Sequence, residues 1–318
     1  MENPISNPFC DSFRSNVGQA TVEASVGGVT YECDTATGMA MVQRADKTAV
    51  SLSVAAEVET GGRTYRTTAV GSLAFSGCTR LLSVDLPEGI TDIGDNAFRR
   101  CSALGLILIP TTVTRIGDSA FCGCSALTTV NLPEGVVSIG SSAFEMCNRL
   151  TTVSLPASVT NIGDHVFYGC TSLVSATVPE GVTELSWCAF ADCSHLTSVN
   201  IPQSVTHIGN DAFCGCRLLP KVDIPAHVSR IGFGAFCGCL HLTSITLPEA
   251  LTGVGDSAFS ECSHLSEVVC LARMVPTCPG NAFDGVCPEG CTLSVPADMV
   301  EAYKEAPGWS LLTQVKAI

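Results

Sequence analysis

Between residues 71 and 270 the apolar positions follow neither the 3.6-residue period of one long helix nor a simple alternation; they return as a block every 23 residues. Phenylalanine stands at 75, 98, 121, 144, 167, 190, 213, 236 and 259. Cysteine follows three residues later, from Cys78 to Cys262, and leucine three after that, from Leu81 to Leu265. Proline recurs at 87, 110, 133, 156, 179, 202, 225 and 248. A fixed period of this length marks a repeat architecture, and it accounts for more residues at once than any local motif.

One unit, residues 117–139, reads GDSAFCGCSALTTVNLPEGVVSI. Leu127 to Leu132 alternates apolar with small polar residues, the pattern of a half-buried strand, and Pro133 ends it. Val136 to Ile139 predicts a second short extended piece. After Gly140 comes a polar row, Ser72, Asp95, Asp118, Ser141, Asp164, Asn210 and Asp256. These residue types cap helix N-termini, so the row predicts a helical turn carrying Ala-Phe-x-x-Cys. Such a unit cannot bury its apolar side alone, so neighbours must stack as coils of a solenoid. Nine coils spaced by roughly 4.8 Å give a core column on the order of 40 Å long.

Segments such as AFRRCSALGLILIPTTVTRIGDSAF and AFADCSHLTSVNIPQSVTHIGNDAF resemble the BspA-like, or Treponema-type, leucine-rich repeats. The resemblance implies an α/β repeat solenoid, a right-handed coil of nine 23-residue repeats with parallel strands and short helical turns. It divides the chain into an N-terminal extension (1–25), a β-rich cap (26–70), the repeats (71–270) and a C-terminal cap (271–318). The cap is expected to hold a TLSVP strand, a short helix near 297–305 and a packed Trp309. It further implies a bacterial surface or secreted protein that binds host or microbial proteins as an adhesin does.

Composition narrows the partners. Thirty acidic against sixteen basic residues give a net charge of −14, which disfavours nucleic acid and anionic membranes. No apolar run approaches the roughly 18–20 residues of a membrane span, so no membrane insertion is expected. The first residues lack a basic stretch followed by an apolar one, so the sequence as it stands carries no secretory signal. That leaves a cytoplasmic protein or one whose leader has been removed. No Asn-x-Ser/Thr acceptor occurs, which disfavours a eukaryotic secreted origin.

Three copies of AFCGC, at 120–124, 212–216 and 235–239, raise the question of thiol chemistry. The second Cys of each belongs to the repeat, where it acts as a small buried hydrophobe. The first takes a position held elsewhere by Ser76, Arg99, Glu145, Tyr168, Ala191 and Ser260, so Cys122, Cys214 and Cys237 are candidate exposed thiols. Cys214 and Cys237 fall on adjacent coils, at a separation a disulfide can span. Cys10, Cys33, Cys270, Cys278, Cys287 and Cys291 lie outside the repeat positions, and a total of nineteen forbids complete internal pairing. Cys287 and Cys291 could pair or form a poor zinc site, but no second well-spaced pair joins them. No metal or cofactor is expected.

Catalytic strings are missing: there is no GxSxG, HExxH or phosphate-binding loop, so no enzymatic activity is expected. His241 and His264 should be surface neighbours, and Glu88, Glu134, Glu180 and Glu249 form a column after the prolines. Both read as solvated faces. Candidate partner-binding residues are those that break the repeat. Leu106 and Leu108 interrupt outward strand positions that are otherwise small and polar, and Trp187 and Phe233 interrupt the polar row, with Tyr168 close in sequence. Exposed apolar and aromatic side chains of this kind anchor interfaces. The alternatives to an adhesin are a self-associating scaffold and a thiol-reactive or metal-binding protein, with the protein monomeric or weakly self-associating.

Overall fold

The computed structural model describes residues 20–318. It is a parallel-strand solenoid of about 12 turns with very little helix. One row of strands includes Thr152–Ser154, Ser175–Thr177 and Ser198–Asn200, continuing through Lys221–Asp223, Ser244–Leu247 and Glu267–Cys270. Partners sit one repeat apart: Ser175 faces Ser198, Ala176 faces Val199 and Thr177 faces Asn200. Alternation then does the rest, since Val153, Ala176, Val222 and Ile245 point inward while their polar neighbours face outward. A second row is made of two-residue strands such as Arg115–Ile116, Ser138–Ile139 and Asn161–Ile162.

The third side of each coil corrects the expectation of a helical turn. From Gly140 to Cys147 the backbone makes consecutive tight turns, with Ala143, Glu145 and Cys147 N–H donating to Gly140, Ser142 and Phe144 carbonyls. The intervening N–H groups of Ser142, Phe144 and Met146 donate to Asp164, Val166 and Tyr168 of the next coil. A helix would direct all of these bonds along its own axis and leave neighbouring coils unjoined. The alternation requires two left-handed residues per turn, Ser142 (φ 56°) and Met146 (φ 57°) here, with glycine at the second position in Gly123, Gly169, Gly215 and Gly238. The polar row is likewise not a set of helix caps. Asp118 Oδ1 accepts from Ser141 N–H at 2.7 Å, Asp164 from Trp187 at 3.1 Å and Asn210 from Phe233 at 2.9 Å, each one coil along. Gly140 is required because a side chain there would meet the carbonyl carbon of Gly117 at 2.6 Å.

Inside, the phenylalanines form one stack with ring centroids 4.7–5.7 Å apart from Phe75 to Phe259. Each repeat thiol from Cys101 onward donates to the Phe carbonyl of the preceding coil, as Cys193 does to Phe167 at 3.2 Å and Cys216 to Phe190 at 3.1 Å. That carbonyl already accepts the N–H of its own coil's cysteine, so the thiol occupies its second lone pair.

The count of nine repeats falls short. Phe283 joins the stack at 5.3 Å after a 24-residue step, and Thr292–Val295 and Gln314–Ala317 extend the first strand row beyond residue 270. A helix at Val300–Glu305 brings Tyr303 against Trp309, which is fully buried, tilted 52° to Phe283, and donates Nε1–H to Pro276 O at 2.8 Å. At the other end Thr21–Val26 and Val29–Asp34 form a hairpin, and Met39–Ala45 pairs in parallel with Arg63–Val70, which leads into the second row.

Removing one rung should unsettle both neighbours. Phe167→Ala is expected to cost about 3–5 kcal/mol, while Cys214→Ser, at the half-buried position, costs under about 1 kcal/mol. Chemical denaturation of the two variants checks this, and equal losses would contradict the inside–outside assignment.

Candidate protein-binding surface

Trp187 and Phe233 stand at the corner just past the second strand row, where a side chain cannot enter the core. Each is 51% exposed. Their backbones are fixed by the Asp164 and Asn210 side chains, so the rings project from a rigid base. His165 N–H donates to the Trp187 carbonyl at 2.8 Å, and its ring lies 4.9 Å from Trp187 and 5.9 Å, edge-on, from half-buried Tyr168. Asp192 beside Tyr168 pushes the phenol pKa up. Between the two exposed rings sits Asp211, whose N–H donates to the Phe233 carbonyl at 2.7 Å and whose Oδ2 accepts from Trp187 Nε1 at 3.4 Å. The structure therefore gathers Tyr168, Trp187 and Phe233 along one corner. His165 and Asp211 join them unannounced by the sequence, because their row is mixed, with Leu73, Asn96, Cys188 and Gly234 beside three serines, and shows no clear pattern to break.

Leu106 and Leu108 lie elsewhere, on the first strand row, 52% and 68% exposed. Leu82 and Val50, also exposed, share that end of the row, with Leu82 N–H bonded to the Val50 carbonyl. The sequence hid this pair, since Leu82 occupies a position of mixed character, Gly105, Thr128, Val174, Pro220 and Ser266 among its counterparts, and Val50 precedes the first repeat.

Other candidates resolve into architecture. His195, His241 and His264 each present Nδ1 to a carbonyl of the preceding coil at 2.6–2.9 Å, which requires that nitrogen to carry the proton. The His241 and His264 rings stack at 5.3 Å. Glu88 accepts from the N–H and hydroxyl of Thr111, and Glu180 from the N–H groups of Gln203 and Ser204, so these two members of the glutamate column also tie coil to coil. Among the described residues no three His, Cys, Asp or Glu side chains converge as metal ligands would.

The thiols differ from expectation. Cys122, Cys214 and Cys237 are half-buried rather than exposed; Cys287 is exposed, Cys291 is buried, and both are free. Cys10 lies outside the described residues. Burial pushes the Cys214 thiol up to about 12, with Cys237, Asp211 and Asp192 adding to it, and burial also raises Cys122 and Cys237. Reactive cysteines need the reverse environment, a positive field that favours thiolate.

The sequence profile described as the BspA type leucine rich repeat region matches in overlapping stretches, residues 64–174, 102–220 and 162–294. The chain belongs to the BspA-type leucine-rich repeat family. A BspA-type solenoid is a protein-interaction scaffold, and bacterial proteins are among the solved structures it resembles. A leucine-rich repeat protein from Bacteroides ovatus is similar at 26% identity with a TM-score of 0.75, over 93% of this chain and 76% of the other. The Treponema pallidum leucine-rich repeat protein is 29% identical over 63% of this chain and 91% of its own, with a TM-score of 0.56. A leucine rich cell surface protein from Faecalibacterium prausnitzii shares the fold at 24% identity and a TM-score of 0.63, over 95% and 96% of the two chains. No curated protein matches. Among the described residues no helix is long and apolar enough to cross a membrane.

Thiol reactivity reads the placement of these cysteines directly. Below a thiol's pKa the thiolate fraction rises tenfold per pH unit, so alkylation of Cys214 should keep accelerating to about pH 11, past the point where an ordinary thiol levels off. Peptide mass spectrometry after timed alkylation checks this, with Cys287 labelled first and the repeat thiols only on unfolding. A Cys214 rate that plateaus near pH 9 would show the site to be more open than the structure has it.

Proposed function

We propose that this protein is a non-enzymatic recognition protein, displayed on the bacterial surface or secreted, that adheres to host or microbial proteins through the corner bearing Tyr168, Trp187 and Phe233. The observation that carries the reading is the pair of half-exposed aromatic rings on a row that other coils fill with Ser, Asp or Asn. Their backbones are already ordered by the solenoid, so docking a partner freezes little beyond the rings themselves. Tyr and Trp dominate interface energetics for this reason. Family membership supports the bacterial and surface setting.

A self-associating scaffold is the second reading, favoured by the exposed Leu82, Leu106 and Leu108 on the strand face. An apolar patch on one flat face suits a second copy better than a small ligand.

Protease applied to intact cells making the protein should remove it before any cytoplasmic marker. Against immobilised extracellular-matrix and serum proteins, the Trp187→Ala/Phe233→Ala double variant should lose at least about thirtyfold in affinity, the equivalent of a roughly 2 kcal/mol hot spot. Retained binding would move the interface off this corner. Light scattering separates the second reading: a mass that climbs with concentration and falls back in Leu106→Ser/Leu108→Ser supports self-association, and a constant monomer mass removes it.

A further inference from the structure

We infer that the notch between Trp187 and Phe233 is a socket for an arginine side chain on a basic polypeptide partner, an inference that rests on this corner being the protein-binding surface. The two rings share a row and are separated by the single coil bearing Asn210 and Asp211. Two strand spacings set them about 10 Å apart at the backbone. A flat cation between two rings needs about 7–8 Å, twice a contact distance of roughly 3.5–4 Å, a span that this backbone separation accommodates above the exposed Asn210.

The floor of the notch selects its charge. Asp211 is half-buried there, and among the described residues the only hydrogen bond its carboxylate receives is the long one from Trp187 Nε1 at 3.4 Å. Its Oδ1 overlies Gly234, at φ 57°, where a side chain would collide with that oxygen. Elsewhere the same row carries Leu73, Asn96, Ser119, Ser142, His165, Cys188 and Ser257, so the glycine uncovers Oδ1 on the Phe233 side. Among the ion pairs of the described residues none includes Asp164, Asp192, Asp211 or Asp256, although these carboxylates line the same edge of the solenoid. The corner therefore presents two half-exposed aromatic rings and a set of carboxylates without cationic partners among the described residues, in a protein of net charge −14.

Guanidinium answers each feature. It is planar and weakly hydrated, it stacks on aromatic faces, and it offers paired N–H donors to a carboxylate. Ammonium supplies the charge but neither the plane nor the fork, so lysine should bind more weakly. The surrounding carboxylates steer a basic segment toward the corner and make association sensitive to salt.

The protein carries its own reporter. Of its two tryptophans Trp309 is buried and Trp187 is exposed, so acrylamide quenching of intrinsic fluorescence reads Trp187. The probes are alternating glycine–arginine octapeptides with lysine and citrulline counterparts, citrulline keeping the shape of arginine without its charge. The arginine peptide should shield Trp187 at a concentration at least tenfold below citrulline, with lysine between them, and Asp211→Asn should abolish the preference while leaving the circular dichroism unchanged. Equal shielding by citrulline, or undiminished arginine binding by Asp211→Asn, overturns the socket. Should no peptide shield Trp187 while Trp187→Ala/Phe233→Ala still destroys capture of matrix proteins, the socket is refuted and the surface reading stands. Should arginine shield Trp187 while that double variant captures matrix proteins normally, the socket stands and the surface reading falls.

Discussion

A carbonyl at the phenylalanine position of one coil accepts the thiol of the next, and this contact forms only when the coils sit one repeat apart in register. The same condition governs the strand pairs, the aspartate row, the glutamate column and the ring stack, all of which join a residue to its counterpart about 23 positions away. Cysteine fits the inner position for reasons both of size and of chemistry. It is small and apolar enough to pack beneath a phenyl ring, and its weak S–H donor meets a lone pair that would otherwise be buried without a partner. Register is thus held from the inside by apolar fit and from the outside by polar ladders.

Most of this was legible in the chain because it is periodic. The inward and outward faces of the strands follow from alternation, and the Phe and Cys columns from their spacing. The turn was not legible. Asp95, Asp118, Asp164 and Asn210 do accept a backbone N–H, but sequence alone could not say that the N–H belongs to the following coil rather than to a helix of the same one. The tenth phenylalanine escaped for a different reason: Phe283 comes after a 24-residue step, with Val286 where the repeat has cysteine, so a strict period passes over it. An inserted residue is absorbed there because few coils follow that would have to adapt.

The candidate site was legible only as a set of exceptions. Trp187, Phe233, Leu106 and Leu108 are visible because they break rows that are otherwise uniform, whereas His165 and Asp211 sit in a row with no uniformity to break. The regular background also gives these exceptions their physical meaning. On an irregular fold an exposed tryptophan could settle among apolar neighbours; here the same row offers Asp164 and Asn210, and the ring rests on His165 with about half of its surface left in solvent. The cysteines carry the opposite lesson, since three copies of a suggestive string turn out to sit where burial and nearby carboxylates keep thiols protonated.

Trp309 lies across the end of the phenyl stack at 52° to its neighbour. A column of parallel rings resembles a crystal that could grow by one more layer, and a tilted, larger ring acts on it as a growth poison: the next layer finds no matching face. The indole also spends its one donor sideways, on Pro276, rather than along the column axis. The phenyl column therefore ends at this ring, and the core is closed there by a residue that belongs to no repeat row.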